Sequence, residues 1–247
     1  MTIDINCDMG EGMPNDAAIM PYISSANIAC GYHAGNESIM RHTIDLCLKH
    51  TVAIGAHPGF DDKENFGRRP IQLSAEELYH LVYKQLATIQ ALCKENHTRL
   101  HHVKLHGALY NMAAKDRLIS KIAAQAVKDI DPGLIFYGLS GSEMITQAKS
   151  VGLKTANEVF ADRTYQSDGT LTPRSHPQAL HQGTTDVVKQ VAQLVKEKCV
   201  TTLTGEFISI EADTVCIHGD GDHALEFAKH IYTALQSMGC RISSASL

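Results

Sequence analysis

Two kinds of hydrophobic pattern take turns along this chain. Short runs rich in Val, Ile and Cys, with apolar and polar positions alternating, cover residues 3–8, 26–33, 52–57, 100–106, 134–140, 155–162 and 213–220. Period-two alternation predicts strands covered on one face. Between them, apolar residues recur at helical spacing over 37–49, 74–96, 116–130, 142–151, 185–198 and 223–238. The strongest helix signal is 74–96, where Ser74 and Glu77 make a capping-box pair ahead of Leu78, Leu81, Val82, Leu86, Ile89, Leu92 and Cys93. Ser140, in the segment Gly138-Leu-Ser-Gly141, is expected to cap the helix that follows. A hairpin turning at Thr204-Gly205 is expected over 200–210.

Strands alternating with helices predict a mainly parallel sheet. Side-chain parity then separates a barrel from an open sheet. One set of alternate positions reads Ile5, Cys7, Ile28, Cys30, Val52, Ile54, Val103, Leu105, Val159, Ala161, Val215 and Ile217. The opposite set reads Asn6, Asp8, Asn27, His33, His57, His102, Lys104, His106, Glu158, Asp162, His218 and Asp220. A doubly wound sheet has helices on both faces and needs both sets apolar. A barrel needs only its outer face apolar, and its inner face can become polar toward the C-terminal strand ends, where such barrels place their sites. The fold expected is therefore a seven-stranded α/β barrel. No low-complexity linker or repeat divides it, so residues 1–247 read as one barrel domain with a hairpin insertion at 200–210.

Composition narrows the function. Lys and Arg number 22 against 27 Asp and Glu, a net charge of −5, and there is no Trp. That balance gives no positive field for a phosphate backbone and few platforms for base stacking, which argues against nucleic acid as a partner. The longest uncharged stretch, 17–36, is broken by Pro21, Ser24, Ser25, Asn27, His33 and two glycines, so no membrane span is expected. The first residues show no basic and apolar leader pattern. Seven scattered cysteines without a C-x-x-C pair read as reduced structural thiols in a cytoplasmic protein.

Singly, each polar residue on the inward parity has a structural explanation, as a hydrogen-bonded core His or a helix-capping Asp. Clustered at strand ends, they would bury charges at several kcal/mol each, a cost a fold keeps where function uses the group. No G-x-x-x-x-G-K-[ST] loop, G-x-G-x-x-G turn, H-E-x-x-H helix or G-x-S-x-G elbow occurs. His102-x-x-x-His106 lies on a strand, where both rings and Lys104 share one face.

Several segments together resemble the LamB/YcsF family. They are Asn6-Cys-Asp-Met-Gly-Glu11, the stretch 24–35, Ala53-Ile-Gly-Ala-His-Pro-Gly59, Phe66-Gly-Arg-Arg69, the stretch 103–116, Glu158-Val-Phe-Ala-Asp-Arg163, Asp168-Gly-Thr-Leu-Thr-Pro-Arg174 and Val215-Cys-Ile-His-Gly-Asp220. Leu105 stands where that pattern has Pro, and the loop 11–16 is shorter than usual. The resemblance implies a (β/α)7 barrel of the glycoside hydrolase/deacetylase type. It also implies ATP-dependent hydrolysis of 5-oxo-L-proline to L-glutamate within a 5-oxoprolinase, with partner subunits B and C. A lactam is a poor electrophile, and phosphorylating its carbonyl oxygen would activate it toward water. On that reading Asp8, His57, Lys104, His106, Asp162, His218 and Asp220 are the catalytic candidates. Asn6, Glu11, Asn27, His33, Glu158, Arg163 and Arg174 are the substrate-binding candidates, with Arg163 or Arg174 suited to a carboxylate through a bidentate fork. Two alternatives stand beside it: a stand-alone metal-dependent amide or N-acetyl hydrolase, with a divalent ion on Asp8, His57 and His106, and a non-catalytic small-molecule binding subunit.

Overall fold

A computed structural model describes residues 1–219, 221 and 223–246. Six parallel strands come first: β1 (Thr2–Met9), β2 (Ser25–Ala29), β3 (Ala53–His57), β4 (His102–Lys104), β5 (Ile135–Leu139) and β6 (Lys154–Phe160). An antiparallel hairpin, β7 (Cys199–Thr201) with β8 (Phe207–Ser209), precedes the seventh parallel strand, β9 (Thr214–Ile217). β9 pairs with β6 on one side and with β1 on the other, so the sheet closes on itself. The register at the closure sets Ile5 opposite Val215 and Cys7 opposite Ile217. The (β/α)7 barrel expected from the parity is the fold observed.

The helices are α1 (Asp16–Ile19), α2 (Glu37–His50), α3 (Ala75–Glu95), α4 (Gly107–Lys115), α5 (Arg117–Ile130), α6 (Glu143–Ser150), α7 (Thr184–Ala192) and α8 (Ala224–Ser237). They cover the apolar parity set, in which Ile5, Cys7, Ile28, Val103, Leu105, Val159 and Val215 are fully buried. Burying each such Ile, Leu or Val contributes roughly 1.5–3 kcal/mol. α3 begins with the Ser74–Glu77 capping box. Its buried Gln85 accepts from Gly59 N–H and donates to Gly59 O, which ties the helix to the loop after β3. The accessible surface of 10796 Å² equals the roughly 11,000 Å² that area scaling gives for this mass. All seven cysteines are free thiols, six of them buried. Among the described residues no helix is long and apolar enough to cross a membrane.

Three local expectations are corrected. Residues 107–115 form a helix that the strand pattern at 100–106 concealed. Gly107 takes a left-handed φ of +55°, and a Cβ there would stand 2.6 Å from Gly67 O. Asp116 ends α4 and starts α5 by accepting from Leu118 N and Ile119 N. Ser142, not Ser140, caps α6; Ser140 Oγ accepts from Glu211 N instead. The helix expected over 185–198 is α-helical only to Ala192 and continues as a π-turn over Gln193–Glu197.

The inner face of the barrel carries polar side chains from its base to its mouth. At the base, Asp4 accepts hydrogen bonds from Ser24, Ser25 and Thr214 hydroxyls, and burial raises its pKa. Asn6 donates to Thr214 and accepts from Asn27, whose own carbonyl accepts from His102. His102 stacks on Tyr137 at 4.1 Å and fills the space left by Gly55. A short strand, β10 (Arg241–Ile242), pairs beside the first residues of β1, and Ala245 beyond it packs on Ile135, Tyr137 and Ala156. The barrel is thus plugged where its strands begin and open where they end.

Candidate active site

Above the Asn6–Asn27–His102 layer the C-terminal strand ends bring together Asp8 from β1, His57 from β3, Lys104 from β4 and Glu158 from β6. Lys104 Nζ stands 2.8 Å from Asp8 Oδ1, 2.9 Å from Glu158 Oε1 and 2.9 Å from Cys216 Sγ. Burial pulls the ammonium pKa down, but Asp8, Cys216 and Glu158 outweigh it and hold the pKa well above its ordinary value. Burial likewise pushes Asp8 up, and His57 and Lys104 bring its carboxyl well below the usual range. Asn6 and Asn27, expected to bind substrate, are fully buried beneath this layer; Asn27 donates to Asp8 Oδ1 at 2.8 Å and so orients it.

Beside Asp8 lies a group of three imidazoles around Glu11. His33 Nε2 is 3.2 Å from Glu11 Oε1, His106 Nδ1 is 3.5 Å from it and His57 Nε2 is 3.9 Å from it. His33 and His106 stack with ring centres 3.7 Å apart. His106 sits at the N-cap position of α4 but makes no side-chain cap, because both ring nitrogens are engaged in this group. Burial lowers the His33 pKa to about 2 and takes His106 well below its ordinary value, with His57 adding to both. These groups are rich in nitrogen and oxygen acceptors, and His33 Nδ1 is buried with no partner. Such a donor set fits a divalent transition metal.

On the opposite wall, Asp162 accepts from His218 Nδ1 at 2.9 Å. Burial alone would raise the Asp162 pKa; His218, Arg163 and Arg174 lower it. His218 also lines a cavity of about 310 Å³, together with Asp8, Glu11, His57, Lys104 and His106. Arg163 is buried in the cavity wall and is largely committed to structure, its Nη2 donating to Thr172 O and its Nε to Ala179 O. Arg174 is exposed at the rim. Asp220, the remaining candidate, lies outside the described residues.

The cavity is completed by Phe66, Arg68, Tyr110, Asn111 and Leu171, which lie off the strands, and by Phe160, which shares the inward parity of Glu158 but is apolar. Arg68 lies over the Phe66 ring at 4.8 Å, and Tyr110 and Asn111 project from the unexpected helix α4. Their signal lay in the segments 66–69, 103–116, 158–163 and 168–174, which carry the family pattern but give no side-chain direction.

Fold and site define a closed (β/α)7 barrel with a charged, imidazole-rich cavity at its C-terminal strand ends. The chain belongs to the LamB/YcsF family, whose model matches residues 3–247. It is 52% identical to the 5-oxoprolinase A subunit of Tolumonas auensis, covering 98% of each chain. It is also 52% identical to the 5-oxoprolinase A subunit of Geobacillus thermodenitrificans, covering 98% of this chain and 96% of that one. The crystal structure of a lactam utilization protein from Thermus thermophilus superposes with a TM-score of 0.93 at 38% identity, over 99% of this chain and 100% of that one. A family 4 carbohydrate esterase from Streptomyces lividans in complex with acetate is similar at a TM-score of 0.55 and 10% identity, over 99% and 93%, a likeness of fold alone.

Proposed function

We propose that this chain acts as the A subunit of a 5-oxoprolinase and holds 5-oxo-L-proline in the 310 Å³ cavity while the lactam is opened to L-glutamate at the expense of ATP. The observation that carries this reading is the end-to-end likeness, at 52% identity, to chains bearing that name. The chemistry of the cavity is compatible with it. Transfer of the terminal phosphoryl group of ATP to the lactam oxygen makes the ring carbon electrophilic. Water then adds to that carbon and the carbon–nitrogen bond breaks, the nitrogen leaving as an amine and the carbon remaining as an acyl phosphate. A second water hydrolyses the acyl phosphate to the carboxylate and inorganic phosphate.

His218 is the group we assign to water activation. Asp162 fixes its Nδ1–H and leaves Nε2 to take a proton, the arrangement of a base with its orienting carboxylate. Lys104, charged and fixed by two carboxylates, faces the cavity and offsets negative charge developing on the phosphoryl or carbonyl oxygens. Arg174 at the rim suits the substrate carboxylate. The two partner subunits complete the site, and closing it excludes bulk water from an acyl phosphate-like intermediate that hydrolyses readily.

The test is glutamate formation from 5-oxoproline and ATP by the purified chain, alone and with both partner subunits. Negligible turnover alone, with activity on adding both partners, is expected. The acceptor-rich group at Glu11 favours a second reading, a self-contained metal-dependent amide hydrolase. ATP-independent cleavage by the chain alone would select that one.

A further inference from the structure

As neutral rings, the imidazoles of His57 and His106 face each other in a way their own protons do not satisfy. His57 Nδ1 is 2.8 Å from Lys104 O, and His106 Nε2 is 2.8 Å from Phe66 O. A carbonyl oxygen only accepts, so each of these nitrogens carries the ring's proton. A neutral imidazole has one N–H, and that leaves lone pairs on His57 Nε2 and His106 Nδ1, which stand 2.9 Å apart. The atoms next to them are also acceptors: Glu11 Oε1 at 3.9 and 3.5 Å, and Asp8 Oδ2 at 3.4 Å from His57 Nε2. Lone pairs converging in a buried space call for a cation between them, a second proton on His57 or a metal ion, and the further convergence of Glu11 and His33 on the same point suits the ion.

We propose that Glu11, His33, His57 and His106 together hold one divalent transition-metal ion of the zinc or cobalt type. Their ligand atoms all lie within 4.8 Å of one another. Ligands at zinc distances in a tetrahedron stand roughly 3.3–3.5 Å apart, and the separations of 2.9, 3.2, 3.5 and 3.9 Å bracket that value. His33 joins through Nε2, which stands 3.2 Å from Glu11 Oε1 and turns its lone pair inward when the ring proton sits on Nδ1. The backbone carbonyls at Lys104 and Phe66 act as the outer partners that fix ring orientation in metal sites. Asp8 is not in the set. Its Oδ1 is taken by Lys104 and Asn27, both at 2.8 Å, and only its far oxygen leans toward His57. The neighbouring group of Asp8, Cys216 and His218 fails the same criterion, because Lys104 Nζ already supplies the cation between Asp8 and Cys216.

This inference rests on acceptor geometry and not on the reaction assigned above, and its test needs no turnover. The chelator-treated full chain is titrated with Co²⁺ by calorimetry and by visible absorption. One ion per chain is expected, with ligand-field bands of a low-symmetry nitrogen and oxygen site. Glu11→Gln and His33→Phe, the latter keeping the stack on His106, should each weaken binding by about tenfold or more, and Asp8→Asn should weaken it less than either. Circular dichroism of the ion-free variants checks that each is folded. Absence of stoichiometric Co²⁺ uptake overturns the proposal. So does an Asp8→Asn variant that loses the ion while Glu11→Gln and His33→Phe, both folded, retain it.

Discussion

Lys104 Nζ bonds Asp8 at 2.8 Å in a barrel interior where the lysine is 2% exposed and the aspartate 6%. Glu158, fully buried, closes the group from β6 at 2.9 Å. Removing one partner of a buried ionic group strands the others, which costs about 3–5 kcal/mol. Lys104→Met is therefore expected to lower the unfolding free energy by that amount at neutral pH, read from urea denaturation. Adding Asp8→Asn and Glu158→Gln should recover much of it. The sign with pH follows from the shifts. The Lys104 pKa is raised, so its contribution is complete through neutral pH and is lost only in strong alkali. The Asp8 pKa is lowered, so its contribution is present above the ordinary carboxylate value and fades as pH falls through the lowered one. Denaturation curves at acid, neutral and alkaline pH check both.

Gly55 makes room for His102. A Cβ at position 55 would stand 2.1 Å from His102 Nε2, the atom that donates to Asn27. Gly55→Ala must push the ring off Tyr137 and break that bond, so the expected loss is about 1–3 kcal/mol from overpacking, and more if Asn27 is left unsatisfied. His102→Ala in the same background should recover part of the loss, because it removes the clash. Equal midpoints for Gly55→Ala and the wild-type chain would exclude the contact as a constraint.

Much of this was legible in the sequence because barrel geometry converts parity into inside and outside. The alternation of Ile5 with Asn6, Val103 with His102 and Lys104, and Val159 with Glu158 carries the barrel, its core and the polar mouth together. The capping box of Ser74 and Glu77 was equally local and equally readable. What escaped depends on backbone atoms or on distant chain segments. Helix α4 is short and opens at His106, whose ring serves the site and gives no capping signal. Ser140 and Ser142 are alike as local cap candidates, and only the contact of Ser140 with Glu211 separates them. The pairing of His33 with Glu11, and the carbonyls of Lys104 and Phe66 that set two imidazole tautomers, have no residue signature at all.

The Asp162–His218 pair should behave as a unit in the reconstituted enzyme. Loss of a positioned base costs about 10²–10⁴ in rate. Asp162→Asn and His218→Ala are each expected in that range, with the double variant close to His218→Ala alone, since an orienting group has nothing left to orient. Multiplicative losses in the double variant would mean that the two residues act independently. Asp162→Asn also carries a stability term. Because the Asp162 pKa is lowered, the wild-type advantage exists above the ordinary carboxylate value and shrinks as pH falls through the lowered one.

The two arginines, either of which suits a carboxylate fork, are placed so differently that their variants should separate cleanly. Arg163 is buried, and its donors hold Thr172 O and Ala179 O in the segment between β6 and α7. Burial brings its pKa down to about 10, with Arg174 adding to the effect. Arg163→Ala should therefore loosen that segment and lower the melting temperature. Arg174 is an exposed rim residue of the cavity, so Arg174→Ala should leave stability nearly unchanged and raise KM for 5-oxoproline. A hydrogen bond to a charged group contributes about 1.5–3 kcal/mol, which sets the expected rise at roughly 10- to 150-fold. Pyroglutaminamide, which has a neutral amide in place of the carboxylate, supplies the control. If Arg174 reads the carboxylate, the wild-type enzyme discriminates against this analogue and the Arg174→Ala variant does not. A variant that keeps full discrimination between acid and amide would remove Arg174 from substrate recognition and leave Arg68, stacked on Phe66 at the same cavity, as the next cation to test.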